Sequence, residues 1–218
     1  MATADLFEGL PDTNPQRLGL GDGALLLRGF VTDIDHILWR EIEGVVAQAP
    51  FRHMITPGGF RMSVAMTNCG PVGWVTDSSG YRYDHVDPAS GRNWPAMPAI
   101  FLDVAKKAAA SAGFENFVPD ACLINCYEPG ARLSLHQDKD ERDASAPIVS
   151  VSLGLPAIFL FGGVKRTIRP QRYRLEHGDV VVWGGPSRFN FHGIVPLAEG
   201  CHPLVGSKRI NLTFRKAL

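Results

Sequence analysis

The sequence predicts an α+β chain that is mainly β, an antiparallel sandwich or jelly roll preceded by two helices. Three observations lead there. Apolar residues recur at helical spacing in only two stretches, both before Pro119. Beyond Pro119 the chain breaks into short apolar or alternating runs separated by PGA, GLP, GG, HGD and GGPS turns, the even spacing of a double-sheet β architecture. With 218 residues, 45% of them hydrophobic, the chain can fill one sizeable core, so a single domain spanning 1–218 is expected.

Residues up to about Asp22 carry Gly, Pro and Asp without periodicity and read as a loose lead-in. Ala24 to Phe30 is a short apolar strand. Thr32 reads as the N-cap of a first helix whose stripe is Ile34, Ile37, Leu38, Ile42, Val45 and Val46, and which Pro50 stops. From Phe51 to Tyr83 glycines and alternation suggest hairpins and long loops, with Met62, Trp74, Tyr81 and Tyr83 placing soft and aromatic surface there. The text WPAMP opens a second helix, with Ile100, Phe101, Val104 and Ala108 on one face and Gly113 as its C-cap. The expected strands are then 121–127, 133–138, 147–153, 157–161, 172–175, 179–183, 189–192 and 209–215.

Formal charge is zero, which argues against binding nucleic acid by bulk attraction. The charges are unevenly placed, however. Acids outnumber bases before Pro50 and bases outnumber acids after Gly162, so a polyanion could meet one basic face. The N-terminus lacks a signal pattern and no apolar run approaches a membrane span, so a soluble cytoplasmic protein is expected. Four cysteines without C-x-x-C spacing fit reduced thiols, and Cys126 reads as packing. No G-x-G-x-x-G or phosphate loop is present, so nucleotide-cofactor chemistry has no support.

The chemistry centres on LSLHQDKDE. On an extended segment His136 and Asp138 point to the same side, with Cα atoms about 6 to 7 Å apart. An imidazole and a short carboxylate can lean from there onto one ion. His192, in RFNFHG, closes an expected strand and supplies a third ligand. This His-x-Asp and distant His order is that of the facial triad that leaves three positions open on Fe(II), although a zinc hydrolase can use the same ligand types. In RINLTFR, alternation sets Arg209, Asn211, Thr213 and Arg215 opposite Ile210, Leu212 and Phe214. If that polar face is interior, two guanidiniums are buried with no acid in the strand, and an anionic ligand is the natural partner. Leu123, Asn125 and Tyr127 share a face in the same way.

Through PFRHMITPGGF, MSVAMTNCG, WPAMP, PDACLINCYEPGARLSLHQDKDE, APIVSVSLGLPAIFLFGG, LEHGDVVVWGG and NLTFR the chain resembles the AlkB family of alkylation-repair dioxygenases, from about Leu20 to Arg215. The resemblance implies a double-stranded β-helix with two N-terminal helices packed on it, iron held by His136, Asp138 and His192, and O₂ and 2-oxoglutarate as co-reactants. It implies that Arg209, Asn211 and Tyr127 hold the distal carboxylate of 2-oxoglutarate, with Asn125 and Arg215 near its iron-chelating end. It also implies that Trp74 and the ring of the second histidine ligand, His192, sandwich a damaged base, that Tyr81 and the segment around Thr56 to Met62 form a lid within 51–90, and that Asp140 favours a cationic methylated base. Met62 and Arg166 are expected beside the substrate as well. The chain departs from the family at Phe60, which lacks a tyrosine hydroxyl and with it one lid hydrogen bond. The implied activity is demethylation of 1-methyladenine and 3-methylcytosine in single- or double-stranded DNA, or in RNA, by a monomer. The alternatives are the same chemistry on a protein side chain or small molecule, a non-catalytic damage-binding module, and a structural cupin-like metal protein.

Overall fold

Alternation decides where each strand of this chain points, and two helices decide which of its faces is covered. The computed structural model describes residues 16–218. Before the β-rich half come β1 (Arg17–Gly21), β2 (Ala24–Leu27), α1 (Asp35–Gln48), β3 (Arg52–Ile55), β4 (Arg61–Cys69), β5 (Gly73–Asp77), β6 (Gly80–Asp84) and α2 (Ala99–Ser111). There follow β7 (Ala121–Tyr127), β8 (Leu133–His136), β9 (Ile148–Gly154), β10 (Ala157–Phe161), β11 (Gln171–Leu175), β12 (Val180–Trp183), β13 (His192–Ile194) and β14 (Arg209–Arg215). They form an eight-stranded sheet, β1-β2-β12-β9-β14-β7-β4-β3, a four-stranded sheet, β11-β10-β13-β8, and the separate β5-β6 hairpin. Every strand pairing is antiparallel. This is the expected jelly roll.

The core lies in two layers. Leu38, Ile42 and Val45 of α1 and Phe101, Val104 and Ala108 of α2 pack on Ile124, Val149, Val151, Val182, Leu212 and Phe214 of the large sheet. Between the two sheets lies a second layer containing Leu123, Tyr127, Phe159, Phe161 and Trp183. Period-two alternation therefore places Ile210, Leu212 and Phe214 of β14 toward the helices and turns Arg209, Asn211, Thr213 and Arg215 inward, between the sheets. All seven residues of β14 are buried. Ser150 and Ser152 of β9 face inward by the same alternation, beside β14.

Several expectations are corrected. Of the anticipated lead-in, residues 1–15 lie outside the described residues, whereas Arg17–Gly21 is a strand paired with β2. It is an edge strand with both faces largely exposed, so backbone pairing holds it and no apolar alternation marks it. The strand expected at 24–30 stops at Leu27. Thr32 does not cap α1. Its hydroxyl donates to the Gly29 carbonyl, residues Thr32–Ile34 form a 3-10 turn, and the helix begins at Asp35. Gly113, at φ +85°, ends α2 as expected. His192 opens β13 instead of closing a strand, because the chain before it bends through a 3-10 turn at Gly185–Ser187. Among the described residues no helix is long and apolar enough to cross a membrane. The four cysteines are free, with Cys126 packed toward the helices.

Candidate active site

Strands β8 and β13 are neighbours, and their register sets His136 directly opposite His192. The rings meet with centroids 4.3 Å apart. The pairing is irregular at Gly193, where a Cβ would lie 2.7 Å from the Leu133 carbonyl oxygen, a separation no side chain tolerates. Gly193→Ala is expected to lower stability by about 1–3 kcal/mol through this overpacking and to weaken metal binding by displacing His192, read from denaturant midpoints and a Co(II) titration.

Each imidazole is oriented by a carbonyl. His136 Nδ1–H donates to Ser134 O at 2.8 Å and His192 Nδ1–H to Asn190 O at 3.0 Å, which leaves both Nε2 lone pairs free. Both Nε2 atoms face Asp138, at 3.6 Å from Oδ1 for His136 and 3.8 Å from Oδ2 for His192. Among the described residues His136, Asp138 and His192 are the only group of three or more His, Cys, Asp and Glu side chains close enough to hold one metal ion, their ligand atoms lying within 4.8 Å of one another.

The electrostatics suit a cation. Burial alone would raise the Asp138 carboxyl, but Arg215 and the two histidines override it and hold it well below the usual carboxylate range. Arg215 donates Nε and Nη2 to Asp138 Oδ2 at 3.0 and 2.8 Å. Burial and the adjacent His136 push His192 down to about 4, so its ring is neutral and ligating at neutral pH. The unfolded chain takes up that proton near 6.5, above the folded value, so the folded state loses stability on acidification. Metal-free protein is expected to lose up to about 3 kcal/mol between pH 6.5 and about 4, measured by denaturant unfolding at each pH.

Next to the triad lies a pocket with unfilled donors. Arg209 is 1% exposed. Its Nη2 donates to Ser152 Oγ at 3.0 Å, while Nε and Nη1 have no partner among the described residues. Its guanidinium carbon stands 4.9 Å from the centroid of the Tyr127 ring. Asn211 donates to Ser150 Oγ at 2.8 Å and Val151 O at 2.9 Å and accepts from Asn125 at 3.2 Å and Thr213 at 2.9 Å. Two orphaned guanidinium donors beside a neutral amide network fit an anionic ligand, and a carboxylate matches their fork. The two arginines thus differ. Arg209 awaits an acid, whereas Arg215 already has Asp138, which lies outside its strand and so escaped the expectation that both would be unpaired.

Both regions open into one cavity of about 820 Å³. It is also lined by Trp74 of β5 and Tyr81 of β6, stacked with centroids 5.7 Å apart and planes 21° from parallel. Reciprocal bonds of 3.0 Å between the buried Asn68 amide and the Trp74 backbone fix that tryptophan to β4, and Trp74 Nε1 donates to Asp140 Oδ2 at 2.8 Å. Met62, Thr56 and Phe60 also line the cavity, Phe60 at 76% exposure. Two expectations shift. The ring open to the cavity is that of His136, 33% exposed. His192 also lines the cavity, but it packs against Trp183 and Phe159, with centroids 4.9 and 6.2 Å away, and its side chain is only 7% exposed. Arg166 is not in the cavity wall, because its guanidinium folds over the Phe191 ring at 5.6 Å.

Not every residue around the site announces itself in the sequence. Ser150 and Ser152 are legible in IVSVSLG by the alternation that orients β14. Glu141, Arg188 and Gln137 carry no signal, since DKDE reads as a solvated run. Yet Glu141 is buried against Arg188, and Gln137 donates to the Phe189 and Val164 carbonyls.

Comparison with known proteins agrees with this geometry. The model of the 2OG-Fe(II) oxygenase superfamily matches residues 23–215. The chain is 57% identical over 213 residues to the alpha-ketoglutarate-dependent dioxygenase AlkB of Escherichia coli (strain K12), covering 98% of this chain and 97% of that one. It is 34% identical over 137 residues to the human nucleic acid dioxygenase ALKBH1, covering 58% of this chain and 33% of that one. The solved structure of OsALKBH1 superposes with a TM-score of 0.82 at 30% identity, over 92% of this chain and 100% of that chain. Fold, ligand order and sequence identity converge: the chain belongs to the 2OG-Fe(II) oxygenase superfamily and, within it, to the AlkB family of alpha-ketoglutarate-dependent dioxygenases.

Proposed function

We propose that this chain is an oxidative demethylase of N-alkylated bases, such as 1-methyladenine and 3-methylcytosine, in DNA or RNA. The observation that carries the reading is a single cavity lined by the triad, by Arg209 and by the stacked Trp74 and Tyr81 with Asp140. Flat aromatic surface and a one-third-exposed imidazole lining one cavity suit a planar base, and every base has a π-face to offer.

His136, Asp138 and His192 hold the ion, and Arg209, with Asn211 and Tyr127, takes the distal carboxylate of 2-oxoglutarate. Asn125 and Arg215 lie toward the chelating end, Arg215 acting through Asp138. When bound, Fe(II), 2-oxoglutarate and O₂ supply the two-electron oxidation that converts an N-methyl group to N-hydroxymethyl, with succinate and CO₂ as co-products. The hydroxymethyl group then leaves as formaldehyde and restores the amine. The chain's own contribution is placement. Trp74 and His136 enclose the base, with Asp140 fixing the indole plane through one oxygen and turning its remaining negative charge to a cationic ring. Tyr81, Met62 and the rest of 51–90 form the lid, and Phe60 meets the substrate by apolar contact alone. A methylated Watson–Crick edge is unreachable inside a duplex, so the base enters from a single strand or by flipping, which lost pairing makes easier. Lys165, Arg166 and Arg169, on the loop between β10 and β11, offer cations to the backbone phosphates outside the cavity. We take the enzyme to act as a cytoplasmic monomer.

Incubating the protein with a single-stranded oligonucleotide carrying one 1-methyladenine, with Fe(II) and 2-oxoglutarate, is expected to remove one methyl group by mass and to release formaldehyde equal to the repaired base. Succinate released without any loss of methyl would count against this reading and favour a hydroxylase of a protein side chain or small molecule, whose own substrate would then be needed to couple turnover to a hydroxylated product.

A further inference from the structure

Behind the metal-binding carboxylate lies a buried charge cluster of which the proposed reaction uses only Asp138 and Arg215. Glu141 sits at its centre. Its Oε2 accepts from Arg188 Nη2 at 2.9 Å and its Oε1 lies 3.3 Å from Arg215 Nε. The same Oε1 accepts from the Tyr83 hydroxyl at 2.5 Å. Both arginines also reach Asp138, Arg215 through the carboxylate at 2.8 Å and Arg188 Nη1 through the backbone carbonyl at 3.0 Å. The side chains of Glu141, Arg188 and Arg215 are 2%, 3% and 8% exposed. Tyr83 belongs to β6, the strand that carries Tyr81, and pairs across the hairpin with Trp74.

We propose that Glu141 is a positioning residue that ties the β5-β6 hairpin to the metal-binding carboxylate through Arg188 and Arg215, so that occupancy of the hairpin and of the metal site are thermodynamically linked. The hairpin half of this rests on the base-binding reading above; the metal half does not. The physical ground is charge balance. Two guanidiniums and two carboxylates cancel in a region shut off from water, where an uncompensated charge is strongly felt. Without the Glu141 charge the cluster carries one net positive charge, Arg215 has Asp138 as its only acid, and a divalent cation must bind against that excess. Linkage is reciprocal, so a base that orders the hairpin must alter metal affinity by the factor by which metal alters base affinity.

The test is an anaerobic Co(II) titration in the presence of 2-oxoglutarate, following the visible d–d bands, on the wild type, Glu141→Gln and Tyr83→Phe, each with its thermal midpoint. Glu141→Gln is expected to weaken Co(II) binding on the order of 10- to 100-fold, the range for groups that orient metal ligands, and to shift the bands. Tyr83→Phe, the milder change, keeps the ring and the charges. It is expected to leave Co(II) affinity within about threefold while reducing the change in Co(II) affinity that a methylated oligonucleotide produces in the wild type, the Trp74–Asp140 bond carrying what remains. Unchanged Co(II) affinity and bands in Glu141→Gln overturn the positioning role without involving nucleic acid. Should the oligonucleotide leave wild-type Co(II) affinity unmoved, or move it equally in Tyr83→Phe, the link to the hairpin is overturned. If Glu141→Gln does not fold, the Tyr83→Phe comparison decides the proposal alone.

Discussion

His136→Ala is expected to abolish iron-dependent turnover of 2-oxoglutarate and of methylated oligonucleotide alike. The side chain supplies one of three protein donors, and its Nε2 has no other partner than Asp138 across 3.6 Å. A bound metal contributes several kcal/mol to such chemistry, and each ~1.36 kcal/mol is a factor of ten, so the loss is roughly a thousandfold or more. The variant is informative because the fold has little stake in that ring. It is one-third exposed, and its hydrogen bond runs only to the carbonyl of Ser134, two residues back in the same strand. The thermal midpoint of the metal-free variant is therefore expected to stay near the wild-type value. Appreciable iron-dependent succinate or formaldehyde release from it would remove His136 from the ligand set.

Arg209→Ala is expected to produce the second largest effect and a different signature. Losing one partner of a buried, hydrogen-bonded charge pair costs about 2–5 kcal/mol, or roughly thirtyfold to a few thousandfold in affinity. The half-saturating concentration of 2-oxoglutarate should rise by at least about thirtyfold on that scale, while Co(II) affinity without 2-oxoglutarate changes little. Among the described residues Arg209 makes no hydrogen bond to the triad, and its hydrogen bond is to Ser152. The ligand-free state adds an independent check. Two buried guanidinium donors without partners are a standing cost, so Arg209→Met, similar in length and apolar, is expected to raise the ligand-free thermal midpoint even as it destroys 2-oxoglutarate binding. An unchanged requirement for 2-oxoglutarate in Arg209→Ala would refute the carboxylate role.

What is legible in the sequence follows from where the information is local. Period-two alternation is a local rule, so the faces of β14 and β7, and with them Arg209, Asn211, Asn125 and Tyr127, can be assigned from the residues alone, and both strands keep their expected bounds. The two helices are legible because each buries a stripe at helical spacing. Edge strand β1 is not legible, since neither of its faces is in the core. The boundary of β13 is hidden because Phe189–Phe191 alternates like a strand yet forms the turn and irregular link that follow the 3-10 turn at Gly185–Ser187. Least visible is the cluster behind Asp138. Arg188 and Glu141 are 47 residues apart, Tyr83 and Glu141 58 apart, and nothing in either neighbourhood marks them as buried. Their partnership arises from the closing of the two sheets, a property of topology that no window along the chain contains.

The most direct measurement is a crystal structure of the protein with Fe(II) and 2-oxoglutarate, prepared without oxygen. The expected result is one ion with His136, Asp138 and His192 as its only protein ligands and one 2-oxoglutarate whose distal carboxylate meets Nε and Nη1 of Arg209. An ion closed off by a fourth protein ligand, or a cosubstrate bound away from Arg209, would contradict it.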